Sequence, residues 1–144
     1  MTKRALVIGL AALAAALARV DAADKDAKAG ARFEWSTKSA EAKQRLLELQ
    51  QRIENFQFGP ANVELAQKLV AADPQFAIGV YYLSAVTAQP ENEKHLARAV
   101  ELSKQASAGE RRFIEAMNVA RANQGAQVKD AIPLLDELGS DYPG

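Results

Sequence analysis

The sequence predicts an all-α protein, and three observations carry that expectation. Apolar residues recur at helical spacing in six separate segments. No stretch alternates apolar and polar residues as a half-buried strand does. Leu, Ala and Val dominate, while Gly and Pro are sparse outside the likely turns.

The first helix is predicted over "AEAKQRLLELQQRIENF", residues 40–56. Leu46, Leu49, Ile53 and Phe56 lie at i, i+3, i+7 and i+10, on one face. Gly59 and Pro60 end it, and "ANVELAQKLVAA" follows with Val63, Ala66, Leu69 and Val70. Asp73 and Pro74 break the second helix; Asp suits an N-cap and Pro a first helical position. The third runs from about Gln75 to Ala88, striped by Phe76, Val80, Leu83 and Thr87. After the turn "QPEN", the fourth runs from about Glu93 to Gln105 with Leu96, Ala99, Val100 and Ser103. Ser107 and Glu110 form an S-x-x-E capping box that opens the fifth, which carries Phe113, Ala116, Met117 and Ala120. "NQGAQ" is a turn, and "VKDAIPLLDEL" is the sixth helix, with Val128, Ala131, Ile132, Leu135 and Leu138 on its stripe. Pro133 is expected in its first turn or at a kink.

Length and charge narrow the function classes. A chain of 144 residues suggests one domain. Equal numbers of basic and acidic residues, 18 each, argue against a nucleic-acid binder. The absence of cysteine removes disulfides, thiolate zinc sites and cysteine nucleophiles together. The first thirty residues stand apart: a basic "MTKR", an uncharged apolar run "ALVIGLAALAAALA", then a small, polar exit. That layout predicts a signal peptide over 1–22, cleaved between Ala18 and Ala23, and so a periplasmic or secreted product with no membrane span after cleavage. The apolar run is shorter than the roughly 20 residues a bilayer takes. Residues 23–38 are expected to be flexible or extended, and 39–144 to form the helical domain.

The breaks at Asp73-Pro74, Ala108-Gly109 and Tyr142-Pro143 recur about every 34 residues, the period of a tetratricopeptide helix pair. The chain resembles a tetratricopeptide repeat (TPR) protein of the exported bacterial type with degenerate repeats. In the first repeat, from Lys43, Leu46, Leu49, Gln50 and Ile53 match the packing places of helix A, and Ala66, Leu69 and Pro74 those of helix B. In the second, from Ala77, the matches are Val80, Leu83, Ser84, Thr87, Leu96 and Val100. In the third, from Glu110, they are Phe113, Ala116, Met117 and Ala120, then Ala131, Leu135, Leu138 and Pro143 two residues late. Asn62 and Leu96 depart from the pattern, standing where a small residue is expected. The resemblance implies a right-handed α-solenoid of about three hairpins, near 43–76, 77–109 and 110–144, with a concave groove lined by helix A. No polar capping helix follows, so Leu134, Leu138 and Tyr142 are expected to lie bare. Either the chain is a piece of a longer array, or that end docks onto something, a second copy included.

No catalytic set is visible, and no cofactor or metal is expected. His95 is the only histidine, and Glu91 and Glu93 beside it read as acids favoured by the helix dipole rather than as ligands. Trp35 is expected to cover the first hairpin. The resemblance places the groove at Gln44, Leu47, Gln51 and Glu54, then Ile78, Tyr81 and Ala85, then Arg111, Ile114, Asn118 and Arg121. Tyr81 would anchor a partner, and Arg111, Asn118 and Arg121 would hold a partner carboxylate. The expected role is a non-catalytic exported scaffold for a protein or peptide partner. The alternative is the N-terminal helical region of a larger secreted enzyme or envelope assembly factor.

Overall fold

The computed structural model describes residues 33–122 and 128–142, and among these the chain is all-helical. Six helices follow a short extended segment: α1 (Ala40–Glu54), α2 (Pro60–Ala72), α3 (Ala77–Val86), α4 (Glu91–Ser103), α5 (Ala108–Ala122) and α6 (Val128–Asp141). Each helix packs on the next in chain order, and α3 also packs on α5. The apolar run at the N-terminus and its exit lie outside the described residues, as do the expected turn "NQGAQ" and Pro143.

Ser39 starts α1, its Oγ accepting the Ala42 N–H at 3.1 Å. Ala42, Leu46, Leu49, Gln50 and Ile53 form the buried stripe. The helix ends at Glu54, not Phe56. The Phe56 N–H donates to the Ile53 carbonyl and the Gln57 N–H to the Arg52 carbonyl, a Schellman ending. Phe56 thus takes the left-handed position usually given to Gly, at φ 56°, and is 69% exposed. Its stripe role in the sequence is overturned by that termination. Asn62 of α2, where a small residue was expected, is buried for a polar reason. It accepts from Arg52 Nε and donates to the Gln57 carbonyl, both at 2.7 Å, which fastens the α1–α2 connection.

Asp73 does not cap α3. It ends α2, its Oδ1 accepts the Gln75 N–H at 3.0 Å, and its carbonyl accepts the Phe76 N–H, so helical geometry begins only at Ala77. Helix α3 is the centre of the molecule: Ala77 to Ser84 are all buried. Gly79 packs closely there: a Cβ would stand 3.2 Å from Leu69 Cγ, so Leu69 would have to give by a few tenths of an ångström. Helix α5 begins with Ser107 Oγ accepting the Glu110 N–H at 3.3 Å, which is half of the predicted box. The Glu110 carboxylate goes elsewhere. Pro133 lies inside α6, past its first turn, and α6 runs on to Asp141.

The extended segment, residues 33–39, forms a strap. Phe33 and Thr37 are buried and Trp35 half-buried, while Glu34 and Lys38 are exposed and Ser36, though exposed overall, turns its hydroxyl inward to Glu110. The Phe33 ring meets Tyr142 and Trp35 edge-on at 5.4 and 5.1 Å, and Trp35 meets Phe76 at 5.8 Å. Trp35 therefore covers the α2–α3 joint. The strap also corrects the expected bare end: Leu138 is buried, Leu134 and Tyr142 are half-buried, and Phe33 lies against Tyr142.

Candidate partner-binding face

Side chains of α1, α3 and α5 bridge one another across α3. Gln50 Nε2 of α1 donates to Tyr82 Oη at 3.1 Å. Arg121 Nη1 of α5 donates to Ser84 Oγ at 2.8 Å, and that hydroxyl donates to the Tyr81 carbonyl at 2.7 Å. Tyr81 meets Tyr82 edge-on at 5.5 Å and Phe113 of α5 at 5.1 Å. These links bring together the three helices that the sequence assigned to one face.

Their exposure redraws the expected contact set. Ile78, Tyr81 and Ile114 are fully buried, so no partner reaches them without repacking the core. Tyr81 was expected on an open side. Helix α3 is enclosed nearly all round instead, and Phe113, Tyr82 and Arg121 surround Tyr81. What remains accessible is a polar rim. Gln44, Gln51 and Arg111 are exposed, and Leu47, Glu54, Ala85, Asn118 and Arg121 are half-buried. Arg111, Asn118 and Arg121 lie within about three turns along α5.

Beneath this rim lies an under-bonded polar layer. Gln50 Oε1, Glu54 Oε1 and Tyr81 Oη are buried without a hydrogen-bond partner. Burial pushes the Tyr82 phenol up to about 12, against the Gln50 hydrogen bond, which lowers it, and the Glu54 charge raises it further. Burial raises the Tyr81 phenol more strongly, the Tyr82 charge adds to the rise, and Arg121 opposes it. Both phenols are therefore neutral at physiological pH.

Among the described residues no three His, Cys, Asp or Glu side chains converge as a metal site, and no helix is long and apolar enough to cross a membrane. His95 is half-buried on α4, and Glu91 pairs with Lys94 rather than with it.

A second polar site was invisible in the sequence. Ser36 donates to Glu110 twice, from its N–H to Oε1 at 2.5 Å and from Oγ to Oε2 at 2.7 Å. Thr37 Oγ1 donates to Asp73 Oδ2 at 2.5 Å. Beside them a cleft of about 210 Å³ is lined by Ser36, Asp73, Gln75, Leu102, Gln105 and Ala106. No periodic signal links Ser36 to a residue 74 positions away.

No family model matches the chain, and neither a curated protein nor a solved structure matches it.

Proposed function

We propose that the chain is an exported, non-catalytic TPR-type scaffold that holds a protein or peptide partner against α1, α3 and α5. The observation that carries this reading is the set of side-chain bridges, Gln50–Tyr82 and Arg121–Ser84, which join three non-consecutive helices into one face. Around it, Arg111 is exposed and makes no ion pair among the described residues. With Asn118 and Arg121 it offers a partner carboxylate two guanidinium forks and an amide. Leu47 and Ala85 supply apolar contact between the polar groups.

The test is binding of the full chain to an array of immobilised peptides of graded charge. Wild type is compared with Arg111→Ala, Arg121→Ala and the outward-facing control Glu64→Ala, which is exposed on α2. Binding weakened about tenfold by either arginine variant, and unchanged by the control, supports the face. Equal binding by all four proteins counts against it. Export rests on the layout of the first thirty residues. Amino-terminal sequencing of the mature product from a secreting host tests it, and an intact Met1 would overturn it.

A further inference from the structure

The strap is held by a pair of carboxyl groups with no cation between them. Glu110 is 0% exposed and takes both Ser36 hydrogen bonds, while Asp73, at the α2–α3 turn, takes the Thr37 hydroxyl. The charged groups of the surrounding elements are otherwise engaged or turned outward. On the strap, Glu34 and Lys38 are exposed. On α4, Arg98 donates to the Pro74 carbonyl at 2.9 Å, and Lys104 pairs with Glu101. On α5, Arg111 is exposed and Arg112 pairs with Asp141 of α6. Tyr142 approaches Gly109 through its ring. Among the described residues, then, two acids share this corner without a basic partner.

We infer that the strap is a proton-controlled latch, docked more tightly when Glu110 carries a proton and more loosely when it is ionised beside Asp73. The geometry admits the proton without losing a contact. The Ser36 hydroxyl donates to Glu110 when the carboxyl is charged. It becomes the acceptor when Glu110 Oε2 carries hydrogen, because a hydroxyl serves in either role. The Ser36 N–H keeps its acceptor, Oε1, throughout. The proton comes from solvent and removes the repulsion between the two acids. Burial raises the Glu110 carboxyl above its ordinary range, the two Ser36 hydrogen bonds pull it back, and the Asp73 charge adds to the rise. The docked state therefore binds a proton more readily than the undocked one. Its extra stability is complete below the ordinary carboxyl range and is lost as pH rises through the raised value. Undocking uncovers Phe76, Gly109 and Tyr142, so the latch governs access to an apolar surface at one end of the helices.

Amide exchange of the full chain tests this directly. The Ser36 N–H reports the latch, and the Val80 N–H, bonded to the Phe76 carbonyl at 3.2 Å, reports the core. After correction for the intrinsic exchange rate, the Ser36 protection factor is expected to fall between pH 4 and 8 while that of Val80 holds. The fall is about tenfold for each unit by which docking raises the carboxyl. Trp35, the sole tryptophan, is expected to become more quenchable by acrylamide over the same interval. Glu110→Gln abolishes the dependence, and Asp73→Asn moves it to lower pH. If Glu110→Gln fails to fold, Asp73→Asn and the wild-type profile decide. The inference is overturned by a flat Ser36 profile, by protection that grows with pH, or by a dependence that Glu110→Gln or Asp73→Asn leaves unchanged.

Discussion

Two neighbouring tyrosines on α3 provide a sharp test of the inner polar layer. Tyr81 and Tyr82 are 0% and 1% exposed, and they meet edge-on at 5.5 Å. Each is to be changed to Phe, which removes one oxygen and keeps the ring. Tyr81 Oη has no hydrogen-bond partner, so its burial forfeits hydration with nothing in return. An unmet buried hydroxyl costs about 1–3 kcal/mol. The weak attraction of Arg121 and the small void left behind offset part of that, so Tyr81→Phe is expected to stabilise by about 1 kcal/mol. Tyr82 Oη is the partner of Gln50, whose other amide atom is already unpaired. Tyr82→Phe leaves the whole Gln50 amide buried and unbonded, at a cost of about 1–3 kcal/mol. Identical atom deletions one residue apart thus have opposite signs. Urea unfolding reads the difference as midpoints shifted in opposite directions at unchanged slope. A loss of about 1 kcal/mol or more for Tyr81→Phe would show that its hydroxyl is bonded, and would refute the under-bonded layer.

Further substitutions test the strap and the helix ends. Gly109→Ala places a Cβ 2.8 Å from two atoms of the Phe33 ring. The overpacking costs about 1–3 kcal/mol and outweighs a helix-propensity gain of at most about 1 kcal/mol, so a lower melting temperature and a red-shifted Trp35 emission are expected. Phe56→Asn relieves a left-handed backbone at a side chain that is 69% exposed, and should stabilise by about 0.5–1 kcal/mol in urea unfolding, since little burial is lost. Ser39→Ala removes the cap of α1 and should destabilise by about 1 kcal/mol, with Ala42 amide exchange accelerated.

The helices were legible in the sequence because their stripes recur with helical period and their breaks carry Gly, Pro or Asp. Helix ends were less so. Phe56 extended the apolar stripe of α1, yet the turn that ends at Glu54 throws it into solvent. Asp73 and Pro74 resembled a cap and first turn, but the Asp side chain closes onto Gln75 and delays α3. The candidate face was legible only by register. Helix α3 is apolar almost all round, so no hydrophobic face told whether Tyr81 points in or out; packing on α2, α4 and α5 put it in. Gln50 and Asn62 stood at packing positions, and nothing in their spacing announced that each would bond to a particular long-range or loop partner. The strap was hardest of all. Ser36–Glu110 and Thr37–Asp73 are pairings between segments 74 and 36 residues apart, and each rests on ordinary polar residues with no motif.

The span of the Ser36–Glu110 link also bears on how the chain folds. Helix pairs joined by short turns form from local contacts and are fast. A string of such pairs, held only by neighbours, frays from its ends one unit at a time. The strap changes that behaviour. It ties the start of α1 to the α2–α3 joint, to the beginning of α5 and to the residue that follows α6. The entropy of closing so long a loop must be met before any of its contacts form, so docking comes late in folding and release comes early in unfolding. Once docked, the strap couples the start of α1 to α5 and to the residue after α6, contacts that helices packed only on their chain neighbours would not supply.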